Sequence, residues 1–374
     1  MRFHAWAAFL ALGQTAFAAP PSPSPPPPPS PAAEPWEYEA VIVGGGPSGL
    51  SAASGLARVR RRILLLDSAV YRNGATRHMH DVLGFDGVQP AYYRWAARKQ
   101  ILEYSTVKMQ NGTVTRIQQI QTPSYSYFSV GYQSPTGESV NTTAAKVVLG
   151  TGLQDILPAT PGFRENWGKG IYWSSNITAF VNGTDTPAMR QVTAQKTPIW
   201  TSIISRNGVT IENRTLASIE RLADGGAGVH DASKPTSPEL DKFKVTFTDG
   251  NSVTRDAFLV NIPNEQASTV GQDMGVQLVG GRLKADGAKG LLTNVPGVFA
   301  VGDANSDNST NVPHALYSGK RAAVFLHVSL EREKAQRLAN SGPTKRSIDE
   351  EARSVWERMN GRPGELLHAG AFDG

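Results

Sequence analysis

Three glycines, Gly44, Gly46 and Gly49, stand in G-x-G-x-x-G spacing inside VIVGGGPSGL, between a short apolar run and a stretch of helical character. In that setting the first glycine permits a tight turn. The second lets the backbone approach a diphosphate, and the third lets helix pack closely on strand. Pro47 and Ser48 open the helix, whose N-terminal N–H groups and dipole suit an anionic diphosphate. Asp67 closes the next apolar run, RRILLLD, where a carboxylate accepts hydrogen bonds from an adenosine ribose. A second glycine–aspartate pair, Gly302 and Asp303, ends the run PGVFAVGD, and a carboxylate there suits the ribityl hydroxyls of a flavin. A nicotinamide dinucleotide has no ribityl chain, so the two signals together point to FAD. The bland alternatives are a structural glycine turn and a turn aspartate.

These residues require a strand, a turn, a helix and a second strand in quick succession, which EAVIV, SGLSAASGLARVR and RRILLLD supply. KVVLGTG at Lys146 and PGVFAVGD at Pro296 are further short apolar runs that stop at glycine, as buried parallel strands do when they end at a site. The pattern turns helical from His314 to Leu338. From Gly168 to Asp286 the texture changes to short β-like runs, FKVTFTDG and AFLVNIP among them, separated by turn residues. The expected class is α/β: a Rossmann-like FAD-binding domain in two segments, 38–165 and 288–335, with an inserted, truncated second nucleotide-binding-like domain at 166–287. A polar tail follows at 336–374, with one helix expected at Ser347–Met359.

The chain has 374 residues, 40% of them hydrophobic, enough for a sizeable core. Residues 1–18 read as a secretory signal peptide: Arg2, an apolar run Ala5–Leu12, and the small-x-small exit Ala16-Phe17-Ala18. The run is too short to span a bilayer, so no stable membrane span is expected after cleavage; a retained signal anchor is the alternative. Residues 19–37 form a proline-rich linker, extended over Pro20–Pro31. Asn-x-Ser/Thr triplets at Asn111, Asn141, Asn176, Asn182, Asn213 and Asn308 fit passage through a glycosylating compartment, so the chain is expected to be secreted or held in the secretory-pathway lumen. The net charge of +5 is spread along the chain without a nucleic-acid motif, which argues against a nucleic-acid partner. There is no cysteine, which excludes thiolate nucleophiles, cysteine-held metals and a redox dithiol. No metal site is expected.

VIVGGGPSGLSAA, LLLDSAVYRNGATRHMHDVLGFDG, KVVLGTGLQDILPATPGF, WGKGIYW and TNVPGVFAVGD, in that order, resemble the FAD-dependent pyridine-nucleotide-disulfide oxidoreductases. The likeness is strongest to the thioredoxin reductases and their fungal dithiol-oxidase relatives of secondary metabolism, and covers roughly Tyr38–Leu330. It implies that Gly44, Gly46 and Gly49 hold the FAD diphosphate and Asp67 its adenosine ribose. It further implies Val114 against the adenine, Thr151 and Gly152 lining the cofactor, and Asp303 on the ribityl chain. Arg72, Asn73 and the MHDVLGFDG turn fall where the family approaches the flavin, which makes His80 a candidate. Val312, Pro313 and His314 precede the last helix, where the family presents N–H groups to the flavin; Pro313 has none to give.

The chain departs from that pattern twice. Where the family carries Cys-x-x-Cys, this chain has Ser174 and Ile177 in GKGIYWSSNI, and neither residue exchanges electrons. The region that would bind NADPH is shorter than the resemblance implies and carries no second G-x-G-x-x-G. A flavin with neither partner takes electrons from a small-molecule substrate and passes them on, most simply to dioxygen. An FAD oxidase or dehydrogenase therefore leads, with His314 and then His80 as candidate bases, either of which could instead be structural. A degenerate flavoprotein acting as a pathway scaffold and a monooxygenase fed by an external reductase stay open, as does a homodimer. Trp167, Tyr172 and Trp173 could wall a planar substrate or simply pack a core.

Expression in a secreting eukaryotic host is expected to give a mature chain that starts at Ala19 and gains mobility after N-glycosidase treatment. Recovery of intracellular chain that still begins at Met1 would refute this.

Overall fold

The structure is a computed structural model, and it describes residues 34–173, 212, 214–226, 231, 233, 234, 240–260 and 262–340. The signal peptide, the proline run, Ser174, Ile177, the sequons at Asn176, Asn182 and Asn213, and the helix expected at Ser347–Met359 lie outside the described residues.

Strand β1 (Tyr38–Val43) leads through the glycines into helix α1 (Pro47–Arg58), and β2 (Ile63–Asp67) returns parallel to β1. Helix α2 (Pro90–Leu102) then crosses to β3 (Val107–Asn111), which pairs parallel with β2. Next come β4 (Thr113–Gln121), β5 (Ser126–Gln133) and the long β6 (Ser139–Leu149). The last half of β6 pairs parallel with β1, while its first half pairs antiparallel with β5, so one strand belongs to both the parallel sheet and a meander. The parallel strands bury both faces, and their side chains alternate between two cores. Ala40, Ile42, Ile63 and Leu65 enter one core, and Val41, Val43, Leu64 and Leu66 enter the other.

At β7 (Leu153–Asp155) the chain leaves this sheet, and at β13 (Asn264–Gln266) it comes back; the two strands pair antiparallel with each other. Between them lie β8 (Ile171–Trp173), β9 (Leu216–Ala223), β10 (Lys242–Phe247), β11 (Ser252–Arg255) and β12 (Phe258–Val260). The middle strand, β10, is flanked antiparallel by β9 and β11, and β8 pairs parallel with β12. A separate apolar cluster, Phe163, Ile171, Ile219, Phe243, Val260 and Ile262, fills this part. Arg77, from the loop after β2, reaches into it and pairs with the buried Asp241 at 2.8 Å.

The chain returns through the short α3 (Val270–Asp273), β14 (Leu278–Val279) and β15 (Arg282–Leu283) to β16 (Val298–Ala300), which completes the parallel sheet against β6. Helix α4 (Val312–Asn340) then lies across α1. Small residues let the two helices meet almost backbone to backbone. A methyl group on Gly55 would come within 2.7 Å of the Ala323 Cβ, and one on Gly319 would overlap the carbonyl oxygen of Ser48.

Two expected boundaries move. Order begins before Tyr38, because Trp36 is 7% exposed and packs into the first core. Helix α4 continues past residue 335 into the segment expected to be a polar tail. Polar residues hold the end of the helix: Lys146 pairs with Glu333 at 2.5 Å just before the extension, and within it the Arg337 guanidinium lies 5.9 Å from the Trp36 ring. Among the described residues no helix is long and apolar enough to cross a membrane.

Gly319→Ala is expected to destabilise the protein by about 1–3 kcal/mol through overpacking against Ser48, although alanine in a helix is ordinarily about 1 kcal/mol better than glycine. Denaturant unfolding checks the sign, and a stabilised variant would refute the close helix crossing.

Candidate functional site

The carboxyl ends of β1, β2, β6 and β16 lie on one edge of the sheet, and the glycine turn, Asp67, Thr151, Gly152 and Asp303 follow those ends. Gly44 turns the chain at φ 105°, a conformation that side-chain-bearing residues avoid, and its N–H donates to Leu66 O at 2.7 Å. A methyl group on Gly49 would overlap the Gly44 carbonyl oxygen, so helix rests directly on strand there. Gly46 differs: a Cβ at that position would meet nothing within 4 Å. It caps α1 with no side-chain hydrogen bond, and Pro47 follows at the first turn. The helix therefore directs uncapped N–H groups and the positive end of its dipole past a bare backbone.

Two observations at the end of β6 also fit a bound dinucleotide. The Thr151 hydroxyl is buried and has no hydrogen-bond partner, and Gly152, at φ 71°, has nothing within 4 Å of its Cβ position. An orphaned buried hydroxyl costs about 1–3 kcal/mol unless a ligand satisfies it. Together with the open face of Gly46, these groups suit the diphosphate and adjoining part of FAD.

Asp67 stands at the end of β2, 1% exposed. Its Oδ1 accepts the Ala69 N–H at 3.0 Å, and its Oδ2 accepts the Tyr71 hydroxyl at 2.5 Å and pairs with Arg98 of α2. Arg94, one turn earlier on α2, stacks 3.7 Å from the Tyr71 ring centre and donates to Asn73 Oδ1 at 3.3 Å. Burial, then the Asp67 hydrogen bond, raises the Tyr71 pKa, and burial lowers that of Arg94. The expected ribose ligand is thus one member of a built cluster, and Gly45 lies against its carboxylate. Tyr71, Arg94 and Arg98 do not stand out in the sequence, although the i, i+4 spacing of the two arginines places them on one helix face.

Asp303 occupies the turn Gly302–Ala304 after β16. Its Oδ2 accepts from Arg72 at 2.9 Å, and the same guanidinium grips Asp155 of β7 at 2.6 Å. Gly302 N–H donates to the buried Ser318 hydroxyl of α4 at 2.8 Å. Arg72 thus pairs directly with Asp303, a contact that sequence reasoning did not foresee, and it holds a third residue, Asp155, that sequence reasoning missed. The Val114 side chain is 6% exposed and packs into the second core, so only its main chain is free to face an adenine. Val114 also lines a cleft of about 640 Å³ with Thr115, Gln154, Glu265 and Val270, and this cleft takes in neither the glycine turn nor Asp303.

The two candidate bases are in different situations. His314 lies in the first turn of α4, where Nε2 is 2.7 Å from Asp307 Oδ2 and its main-chain N–H donates to Asn311. His80 is 62% exposed, with Nδ1 3.6 Å from Asp86 in its own loop. Only His314 has the oriented carboxylate partner expected of a base. Trp167 stacks on Phe163 in the third apolar cluster, which is the core-packing outcome. Trp173 lies in β8 and Tyr172 beside it is half-buried. The sequon residues Asn111, Asn141 and Asn308 are exposed. Among the described residues no cluster of His, Asp and Glu could hold a metal ion.

Residues 38–185 match the family described as pyridine nucleotide-disulphide oxidoreductase. A protein of Arthroderma benhamiae named "Probable thioredoxin reductase" is 42% identical over 337 residues, covering 80% of this chain and 82% of that one. "Thioredoxin reductase tcpT" of Claviceps purpurea is 28% identical over 320 residues, covering 81% of this chain and 95% of that one. Among solved structures, the crystal structure of HlmI superposes with a TM-score of 0.64 at 24% identity, covering 85% of this chain and 97% of that one. The oxidoreductase from Agrobacterium tumefaciens gives a TM-score of 0.61 at 24% identity, with 78% and 98% covered. With its glycine turn, its Rossmann sheet and these relatives, the chain belongs to the pyridine nucleotide-disulphide oxidoreductase family as a thioredoxin-reductase-like, FAD-dependent oxidoreductase.

Proposed function

We propose that this chain is a secreted FAD-dependent oxidase or dehydrogenase that takes electrons from a small organic substrate and passes them on, most simply to dioxygen. The observation that carries the proposal is the complete lack of cysteine. The relatives are named for thioredoxin reduction, a disulfide exchange that proceeds by attack of a thiolate, and this chain has no thiol to attack with. The fungal relatives tcpT, aclD and sirT also carry the thioredoxin reductase name. The resemblance to fungal dithiol oxidases of secondary metabolism makes secondary-metabolite-like compounds the first substrate class to try.

Bound FAD would supply the hydride acceptor. The chain itself provides the binding edge and a proton acceptor. The N-terminus of α1, with Gly46 and Thr151, would hold the diphosphate, and Asp67 with its arginines the adenosine end. If the substrate loses a hydroxyl or amine proton along with its hydride, His314 is the base: Asp307 holds the proton on Nε2, leaving Nδ1 to accept another. His80, on an exposed loop, lacks that support. Secretion is supported by the N-terminal pattern and by three sequon asparagines that stand exposed.

Anaerobic titration of the FAD-loaded protein is expected to show no rapid bleaching of the flavin by NADPH, and bleaching by at least one member of a panel of phenolic and polyketide-like compounds. Readmitted air should then release peroxide. Rapid stoichiometric bleaching by NADPH would sink the proposal. With a bleaching substrate in hand, His314→Gln should slow flavin reduction by about 10²- to 10⁴-fold without changing the oxidised flavin spectrum; an unaltered rate would remove His314 from the mechanism.

A further inference from the structure

Four charged side chains meet where the chain crosses between its two parts. Arg72 directs all three guanidinium nitrogens at carboxylates: Nε and Nη2 at Asp155, with Nη2–Oδ1 at 2.6 Å, and Nη1 at Asp303 Oδ2 at 2.9 Å. Asp155 is 5% exposed and Arg72 16%, so water competes little for these bonds. Arg282 of β15 closes the group from the other side. Its Nη1 donates to the main-chain oxygen of Asp303 at 2.7 Å and its Nη2 to Asn264 Oδ1 at 3.2 Å. Gln266 adds a hydrogen bond to Ala304 O at 3.0 Å.

The location matters more than the number of bonds. Asp155 is on β7 and Asn264 and Gln266 are on β13, and Asp155 pairs with Asn264 in the ladder. Both crossing strands are therefore tied to the turn that carries Asp303. Among the described residues the hydrogen-bonded group sets two arginines against two aspartates, as burial favours. Burial alone would lower the Arg72 pKa, yet Asp155 and Asp303 hold it above its ordinary value. A forked, planar guanidinium grips Asp155 through two nitrogens and Asp303 through the third in one fixed geometry, which an ammonium, with all its donors on one nitrogen, does not reproduce.

We infer that Arg72 is a positioning residue of the FAD site: it fixes the Asp303 carboxylate for the cofactor and couples cofactor binding to the seating of β7 and β13. Asp303 and the crossing strands then share one guanidinium, so whatever orders the carboxylate also orders the strands. The inference rests on the assignment of Asp303 to the ribityl end of FAD and is independent of the electron donor and acceptor.

The test uses the full chain stripped of FAD, with FAD affinity read by quenching of its fluorescence and backbone protection by hydrogen–deuterium exchange. Asp303→Asn and Arg72→Gln should each weaken FAD binding by about tenfold or more, with the double variant no worse than the poorer single one. Arg72→Lys should recover only part of the loss. In the wild type, FAD should increase protection over 153–155 and 264–266, and Arg72→Gln should abolish that increase while leaving the FAD-dependent protection around Gly46–Leu50. Should Arg72→Gln fail to fold, Asp155→Asn, which removes the anchor but keeps its shape, is expected to reproduce both effects. If Asp303→Asn is impaired while Arg72→Gln and Asp155→Asn bind FAD and protect the strands as the wild type does, Arg72 is not a positioning residue. Wild-type binding by Asp303→Asn would overturn the cofactor assignment, and the inference with it.

Discussion

The contact between the third glycine and the first governs the geometry of this molecule. Where Gly49 passes over the Gly44 carbonyl there is no room for a side chain, so α1 is pressed onto the end of β1. That contact sets where the helix begins, and so where its uncapped N–H groups point. It also lowers α1 far enough for α4 to cross it at Ser48 and Gly55, which brings Ser318 to the Gly302 N–H. The turn bearing Asp303 is thereby held from the same helix pair that frames the glycine loop. A side chain at either crossing would displace the cofactor edge as well as the core.

Charge is organised around this edge in two buried groups. Asp67 is enclosed by Tyr71 and Arg98, and Asp303 by Arg72, each carboxylate having its cation within its own shell. Such pairs do little for overall stability, because desolvating two ions offsets most of their attraction. What they provide is orientation. Asp67, bonded through both oxygens, and Asp303, bonded through Oδ2, each keep a fixed direction for their remaining lone pairs, and that preorganisation suits a hydroxyl-rich ligand.

The parts of this architecture that are readable from sequence are those in which one short segment does the whole job. The glycine spacing, the apolar runs ending at Asp67 and Asp303, and the helical stretch from His314 each depend on residues a few positions apart. The supporting residues do not. Arg72 and Asp303 are 231 positions apart, and Arg98 and Asp67 are 31 apart on different elements. No periodicity announces such pairs; only the folded sheet brings them together. The early order at Trp36 escaped for a related reason. A tryptophan after a proline run and a polar helix end both look peripheral until Arg337 is seen beside the Trp36 ring.

Strands β7 and β13 run side by side, so the residues between Asp155 and Asn264 enter and leave through a doorway about 5 Å wide. A loop of any length can hang from such a doorway without pulling its posts apart. The Rossmann sheet is closed across the gap by its own ladder and does not sense how much polypeptide lies beyond. The outer part can therefore shorten, lose a motif or acquire a new lining while the cofactor fold keeps its shape. The architecture behaves as a fixed socket with an exchangeable head, and evolution can alter what the flavin meets without redesigning how it is held.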